Sequence, residues 1–373
     1  MEDIIKKAIL PVLVGLILLT NLACGLPSLF HVSATKATAT TTQTQVALAK
    51  VTATPKAVSP SLTPVKQATA TTRPQATATL ALKATATTQH GAGQIVFISC
   101  KGRNSLGGGT HCGINIMDPD GSNRRQLTDN DSDGLVSLSP DGTRVAFIRQ
   151  DPKYEIYVMH TDGSGLTRLT NNPWGSFAPS WSPDGSQIIY TSGPVTSDPS
   201  LCNIFIMDAD GINQHPLKTC DSGGGSPRWS PDGSQIIFLT SISNISSTLH
   251  IMNADGTHPQ VIKTNQAFEI ASPVWSPDGT KIAFLNQKTI DDPIEVDVIN
   301  KDGTNQHSLT AGFNPVYGGL SWSPDGQQLI FNMNGDGKSL HGDTHIYVVN
   351  ADGSNLHKLD APCGYCCNAD WGH

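Results

Sequence analysis

From Gln94 onward, apolar residues fall into short runs separated by polar, glycine- and proline-bearing stretches, and the runs come in pairs. The first of each pair follows Ser-Pro-Asp-Gly, as in RVAFIR (144–149), KIAFLN (281–286) and QLIFNM (328–333). The second precedes Asp-Gly, as in INIMDP (114–119), IYVMHT (156–161), IFIMDA (204–209) and IYVVNA (346–351). These runs are rich in β-branched and aromatic residues, and none has the length or 3.6-residue period of a helix, so they predict strands. Ser-Pro-Asp-Gly suits a type I turn: Pro presets φ, Asp caps the backbone and Gly takes the last place. Asp-Gly at the second junction is also hairpin chemistry. A weaker strand follows it and ends in Leu-Thr, as at Leu127-Thr128, Leu169-Thr170 and Leu309-Thr310.

Ser-Pro-Asp-Gly begins at Ser139, Ser182, Ser230, Ser276 and Ser323, at intervals of 43, 48, 46 and 47 residues. The second marker recurs at Asp120, Asp162, Asp210, Asp255, Asp302 and Asp352. A repeat of about 46 residues holding four strands predicts a β-propeller, an all-β fold. Pro179, Pro227 and Pro273 each stand two residues before a Trp, and proline within a sheet belongs on an edge, so the Trp strand is expected to be the innermost. Gln94–Ile98 reads as a second strand without its first, and Asn368–Trp371 as a first strand without the rest. Joined, they make a sixth four-stranded blade whose inner strand comes from the C-terminus and closes the ring, which removes an exposed sheet edge.

These residues resemble the TolB-type, WD40-like propeller repeat: W-S-P-D-G, then I-A-F, then I-Y-V-M-D-A-D-G, then L-T. The resemblance covers Gln94 to Trp371, with Trp181, Trp229, Trp275, Trp322 and Trp371 at the expected position and Leu138 departing from it. It implies a six-bladed propeller, and it implies envelope proteins as partners. TolB-like envelope proteins carry an α/β domain before the propeller, where this chain has low complexity. The repeat occurs in scaffolds, in non-catalytic domains of peptidases and in some lyases, so the fold alone does not give the activity.

Residues 1–24 read as an export signal of lipoprotein type: Lys6 and Lys7, an apolar run from Ala8 to Leu19, then Asn21-Leu22-Ala23-Cys24-Gly25, with Cys24 as the residue to be lipidated. An uncleaved anchor and ordinary cleavage are the alternatives, and all three put the rest of the chain outside the cytoplasm. Residues 25–91, dominated by Thr, Ala, Gln and Pro, hold too little apolar area to offset chain entropy and read as a disordered tether before the propeller at 92–373. The tether holds six cations and no acid, so of the net −7 the propeller carries −13. That excludes nucleic acid, which needs a basic face.

Seven cysteines lie beyond Cys24. Cys202 and Cys220 flank a hairpin symmetrically and are expected to pair, whereas Cys100, Cys112, Cys363, Cys366 and Cys367 are expected to gather at the ring closure as disulfides, their pairing open. Zinc on these cysteines and His111 is the lesser alternative. Asp129, Asp131 and Asp133 match the opening of a calcium loop, but Pro140 stands where its bidentate Glu belongs, so calcium is the minor reading against an acidic loop. No other cofactor is expected.

No G-x-S-x-G, H-E-x-x-H or phosphate loop occurs. Of twelve histidines, His215, His307 and His357 share with Arg125 the start of the outer strand, a solvated position; His111, His250 and His345 are expected just before the third strand, near one rim. A non-catalytic binding or scaffold module is therefore expected, a carbohydrate-active or hydrolytic propeller enzyme being the alternative. Loops entering the inner strands bring Trp174, Phe177, Phe268, Glu269, Phe313 and Tyr317 to one face. Exposed aromatics there would bind a peptide or a glycan; packed between blades, they would be structural.

Overall fold

The computed structural model describes residues 93–103, 109–193, 203–219, 225–241, 247–262, 264, 269–289, 291–313, 316–334, 344–359 and 365–372. Every regular element among them is a strand. Blade 1 begins with β1 (Ile95–Arg103), β2 (Gly109–Met117) and β3 (Arg125–Gln126). Blade 2 is β4 (Asp133–Leu138), β5 (Arg144–Gln150), β6 (Tyr154–His160) and β7 (Thr167–Arg168). Blade 3 is β8 (Ser176–Trp181), β9 (Gln187–Ser192), β10 (Asn203–Asp208) and β11 (His215–Thr219). Blade 4 is β12 (Arg228–Trp229), β13 (Gln235–Ser241), β14 (Ser247–Asn253) and β15 (Gln260–Ile262). Blade 5 is β16 (Glu269–Trp275), β17 (Lys281–Gln287), β18 (Glu295–Asn300) and β19 (His307–Ser308). Blade 6 is β20 (Val316–Trp322), β21 (Gln328–Asn334), β22 (Thr344–Asn350) and β23 (His357–Lys358), after which β24 (Tyr365–Trp371) adds to β1 and completes blade 1.

The strands β4, β8, β12, β16, β20 and β24 touch one another in that order, and β24 touches β4. They therefore line a closed ring, with the Trp strand innermost as expected. Six apolar clusters fill the six interfaces between neighbouring blades; the one between blades 5 and 6 gathers Ala283, Leu285 and Val298 with Trp322, Leu329 and Phe331. The core is thus a ring of wedges, and each blade is stable because both its faces are covered.

The repeated tetrapeptide earns its recurrence through one hydrogen-bond unit. In blade 3, the Ser182 hydroxyl donates to Asp184 at 2.6 Å and accepts the Gln187 N–H at 2.9 Å, while Gly185 sits at φ +69° and donates its N–H to the Ser182 carbonyl. The Ser230 hydroxyl does the same to Asp232 and holds that carboxyl down at about 2. The Thr of Leu-Thr caps the blade's third strand: the Ile114, Ile156 and Val296 N–H groups donate to Thr128, Thr170 and Thr310, each at 2.9 Å.

One feature of the inner strands goes beyond the sequence expectation. Three residues before each Trp position stands a residue of positive φ: Leu135, Ala178, Ser226, Ser272, Gly319 and Asn368. In β8, Ala178 and Pro179 together face the single residue Tyr190, and the register shifts at the same place in β4, β16, β20 and β24. This is a β-bulge, which bends the inner strand and increases its twist. The bulge is also where a ladder N–H is dispensable, which explains Pro179, Pro227 and Pro273.

Candidate functional site

Each inner strand starts on the face where outer strands hand over to the next blade and where second strands turn into third strands; the Ser-Pro-Asp-Gly turns lie on the other. On the first face, Trp174 and Phe313 are exposed, at 59% and 50%. They belong to the handovers from blade 2 to 3 and from blade 5 to 6, on opposite sides of the ring. Phe177 is half-buried instead, its ring 5.6 Å from that of Tyr154. Of the aromatics expected here, two therefore form surface and one packs. Phe268 lies outside the described residues, as do Cys24, Cys202, Cys220 and Cys363. Of Tyr317 and Cys366 the backbone alone is described, in β20 and β24.

Glu269 begins β16 opposite Gln287, half-buried, and burial pushes its carboxyl up to about 7. Three other acids at this end of the blades are paired with cations. Asp133 is held by Arg149 at 2.6 and 2.9 Å and accepts the Thr128 hydroxyl at 2.6 Å. Glu155, fully buried, accepts the Thr170 hydroxyl at 2.6 Å and lies 3.3 Å from Arg168. Lys288 pairs with Glu295 at 2.8 Å.

With Asp133 turned to Arg149, and Asp131 accepting the Cys112 N–H at 2.6 Å, the structure does not gather Asp129, Asp131 and Asp133 around one point, and no group of three metal-ligating side chains occurs among the described residues. Cys100 and Cys112 face one another across β1 and β2 and are joined in a disulfide; Cys367, opposite Ile98 in β24, is also disulfide-bonded. The expected gathering of cysteines at the closure holds for these three.

The histidines divide differently from the sequence expectation. His215, His307 and His357 are exposed on outer strands, but His111, His250 and His345 lie within third strands rather than before them. His250 stacks on Phe238, 5.1 Å between centroids, and bonds Thr240 at 2.8 Å, so it fills a blade interior. Two cavities lie between blades 2 and 3: about 400 Å³ bounded by Arg168, Thr170, Asn171, Asn172 and Gln214, and about 290 Å³ between the turns at Pro140 and Pro183. Two charges on the inner strands, Arg228 and Asp370, belong to none of the sequence motifs. Aligning the residues that precede each Trp position would have found them.

The family model described as the TolB beta propeller domain (PD40) matches residues 83–243 and again 236–372. The chain belongs to the TolB β-propeller domain family. Among curated proteins it is similar to the uncharacterized peptidase YuxL of Bacillus subtilis (strain 168), 44% identical over 55 residues. That stretch is 14% of this chain and only 8% of the relative's length, so the likeness concerns the repeat. Among solved structures, TolB from Acinetobacter baumannii aligns with a TM-score of 0.64 at 19% identity, covering 76% of this chain and 67% of that one. The Kuenenia stuttgartiensis hydrazine synthase aligns with a TM-score of 0.59 at 15% identity, covering 74% and 46%. At such identities the likeness establishes the TolB-type propeller fold, which serves both a TolB and an enzyme.

Proposed function

We propose that this TolB-family propeller is a non-catalytic protein-binding module of the cell envelope, held outside the cytoplasm by lipidated Cys24 and carried on the tether 25–91. The face bearing Trp174 and Phe313 is its docking surface, and the starts of β16 at Glu269 and of β20 beside Tyr317 lie on the same face. One observation carries this reading: two large aromatics stand exposed on one face, across the ring from each other, whereas Phe97, Phe147, Phe238, Phe284 and Phe331 of the blade interiors are buried. Exposed aromatics of this kind anchor protein interfaces. Membership of the TolB propeller family supports an envelope protein or peptide as the partner.

The test is crosslinked capture from a native envelope fraction with the full chain as bait. A protein retained by the wild type and lost with Trp174→Ala/Phe313→Ala supports the reading; identical capture by both overturns it. Globomycin-sensitive processing and labelling with a palmitate analogue, abolished in Cys24→Ala, tests the anchor.

Glu269 favours a second reading, a carbohydrate-active or hydrolytic enzyme. A half-buried carboxyl held at about 7 has the proton affinity of a general acid or base at neutral pH. Turnover of a glycan or peptide by the wild type and its loss in Glu269→Gln would establish it.

A further inference from the structure

We propose that the interior of the ring holds a binding site for a monoanionic carboxylate, anchored by Arg228. This site is separate from the docking face and does not rest on it.

The placement follows from the ring itself. Arg228 lies on β12, which touches β8 and β16, whereas Asp370 lies on β24, which touches β20 and β4. The two strands are on opposite sides of the ring, and both line its interior. The guanidinium of Arg228 reaches across to the neighbouring inner strand, β8. Its Nη1 donates to the carbonyl of Pro179 at 3.2 Å, on the bulge of β8. Of the five N–H donors of a guanidinium, the others have no protein acceptor among the described residues. The side chain retains access to solvent, while the surrounding protein desolvates it and lowers its pKa. A cation in that state gains from a charge-assisted partner.

Asp370 is not that partner. It makes no ion pair with Arg228; its Oδ2 accepts the Leu138 N–H at 2.8 Å and its Oδ1 the Ser321 hydroxyl at 3.2 Å, so it is committed to joining blades 6, 1 and 2. The positions equivalent to Arg228 in the remaining blades are Ser137, Ser180, Val274 and Ser321, none of them charged. The ring interior thus presents one under-used guanidinium facing one carboxylate already satisfied. A planar carboxylate matches the guanidinium fork with two parallel bonds. The negative charge of Asp370 opposite penalises a second charge on the ligand, so a monoanion is preferred over inorganic phosphate. The carboxylate belongs either to a small free acid or to a peptide side chain reaching in.

Calorimetric titration of the full chain with acetate, with inorganic phosphate and with a capped pentapeptide bearing one central glutamate tests this. The wild type is expected to bind acetate or the peptide saturably and more tightly than phosphate, and Arg228→Gln to weaken that binding at least tenfold. Asp370→Asn keeps an acceptor for Leu138, so it is expected to tighten acetate binding several-fold and to admit phosphate; this second variant reads in the opposite direction and cannot be mimicked by misfolding. Acetate binding as strong as the peptide's identifies a small acid, and peptide binding at least tenfold tighter identifies a chain carboxylate. The proposal is overturned if neither carboxylate binds the wild type, if Arg228→Gln binds as well as the wild type, or if phosphate binds best.

Discussion

Asp370, three residues from the C-terminus, accepts the backbone N–H of Leu138 at 2.8 Å across a sequence separation of 232. Leu138 is the one residue that replaces Trp in the repeat, and Asp370 stands just before Trp371, so the bond ties the last strand to the first complete unit. Asp370→Ala leaves that partly buried N–H unmet, at a cost of about 1–3 kcal/mol. Asp370→Asn should retain most of the stability. Thermal unfolding of the two variants beside the wild type checks the difference.

The bulge of β20 predicts a contrast between two glycines of nearly equal φ. A Cβ on Gly319 (φ +62°) would meet Asn332 Oδ1 at 2.1 Å and the Ala369 backbone nitrogen at 2.5 Å, whereas one on Gly142 (φ +68°) has nothing within 4 Å. Gly142→Ala should cost only the left-handed penalty of about 1–2 kcal/mol, and Gly319→Ala about 3 kcal/mol or more, since backbone must move. Denaturant titration of both measures it.

Glu269 and Asp232 predict opposite limbs of a pH profile. Glu269 ordinarily titrates near 4.5 but at about 7 in the folded protein. Between these values the folded state keeps a proton that the unfolded chain has lost, so its contribution to stability falls as pH rises through the window and levels off above 7. Glu269→Gln should therefore raise the melting temperature at pH 8 and change little at pH 4.5. Asp232, held at about 2 against an ordinary 3.8, contributes stability above 3.8 that is lost as pH falls towards 2. Asp232→Asn should flatten that acid limb.

The Cys100–Cys112 disulfide closes a hairpin with a sequence separation of 12 in the blade that joins both ends of the chain. A loop of that size is worth about 3 kcal/mol. Cys100→Ser/Cys112→Ser should lower the melting temperature by several degrees in oxidising buffer.

The fold was legible because the repeat states it several times over: Ser182-Pro183-Asp184-Gly185 and its copies report one hydrogen-bond unit, and the Trp residues mark the inner strand. The bulge was not legible. Its positive-φ position is filled by Leu135, Ala178, Ser226, Ser272, Gly319 and Asn368, which share no chemistry, because the ring rather than the side chain imposes the conformation. Proline at 179, 227 and 273 carried the trace of it, read as an edge alone. At the candidate face, Trp174 and Phe313 could be named from loop position, but Phe177 follows the same loop and packs on Tyr154. Exposure is a property of neighbours distant in sequence. The ion pairs Asp133–Arg149 and Glu155–Arg168 were hidden for the same reason: the spacing of Asp129, Asp131 and Asp133 does not show that Asp133 turns to Arg149 on another strand.

The most direct test of the account compares two sets of exposed apolar residues. Trp174 and Phe313 stand on the docking face, whereas Ile212 and Val261, each 57% exposed, lie on the turn and outer strand of blades 3 and 4. Titrating the captured envelope partner against the wild type, Trp174→Ala/Phe313→Ala and Ile212→Ala/Val261→Ala should show affinity reduced at least tenfold by the first pair and unchanged by the second, with all three proteins melting together. Loss of affinity confined to the Ile212/Val261 variant would place the interface on the rim and contradict the account.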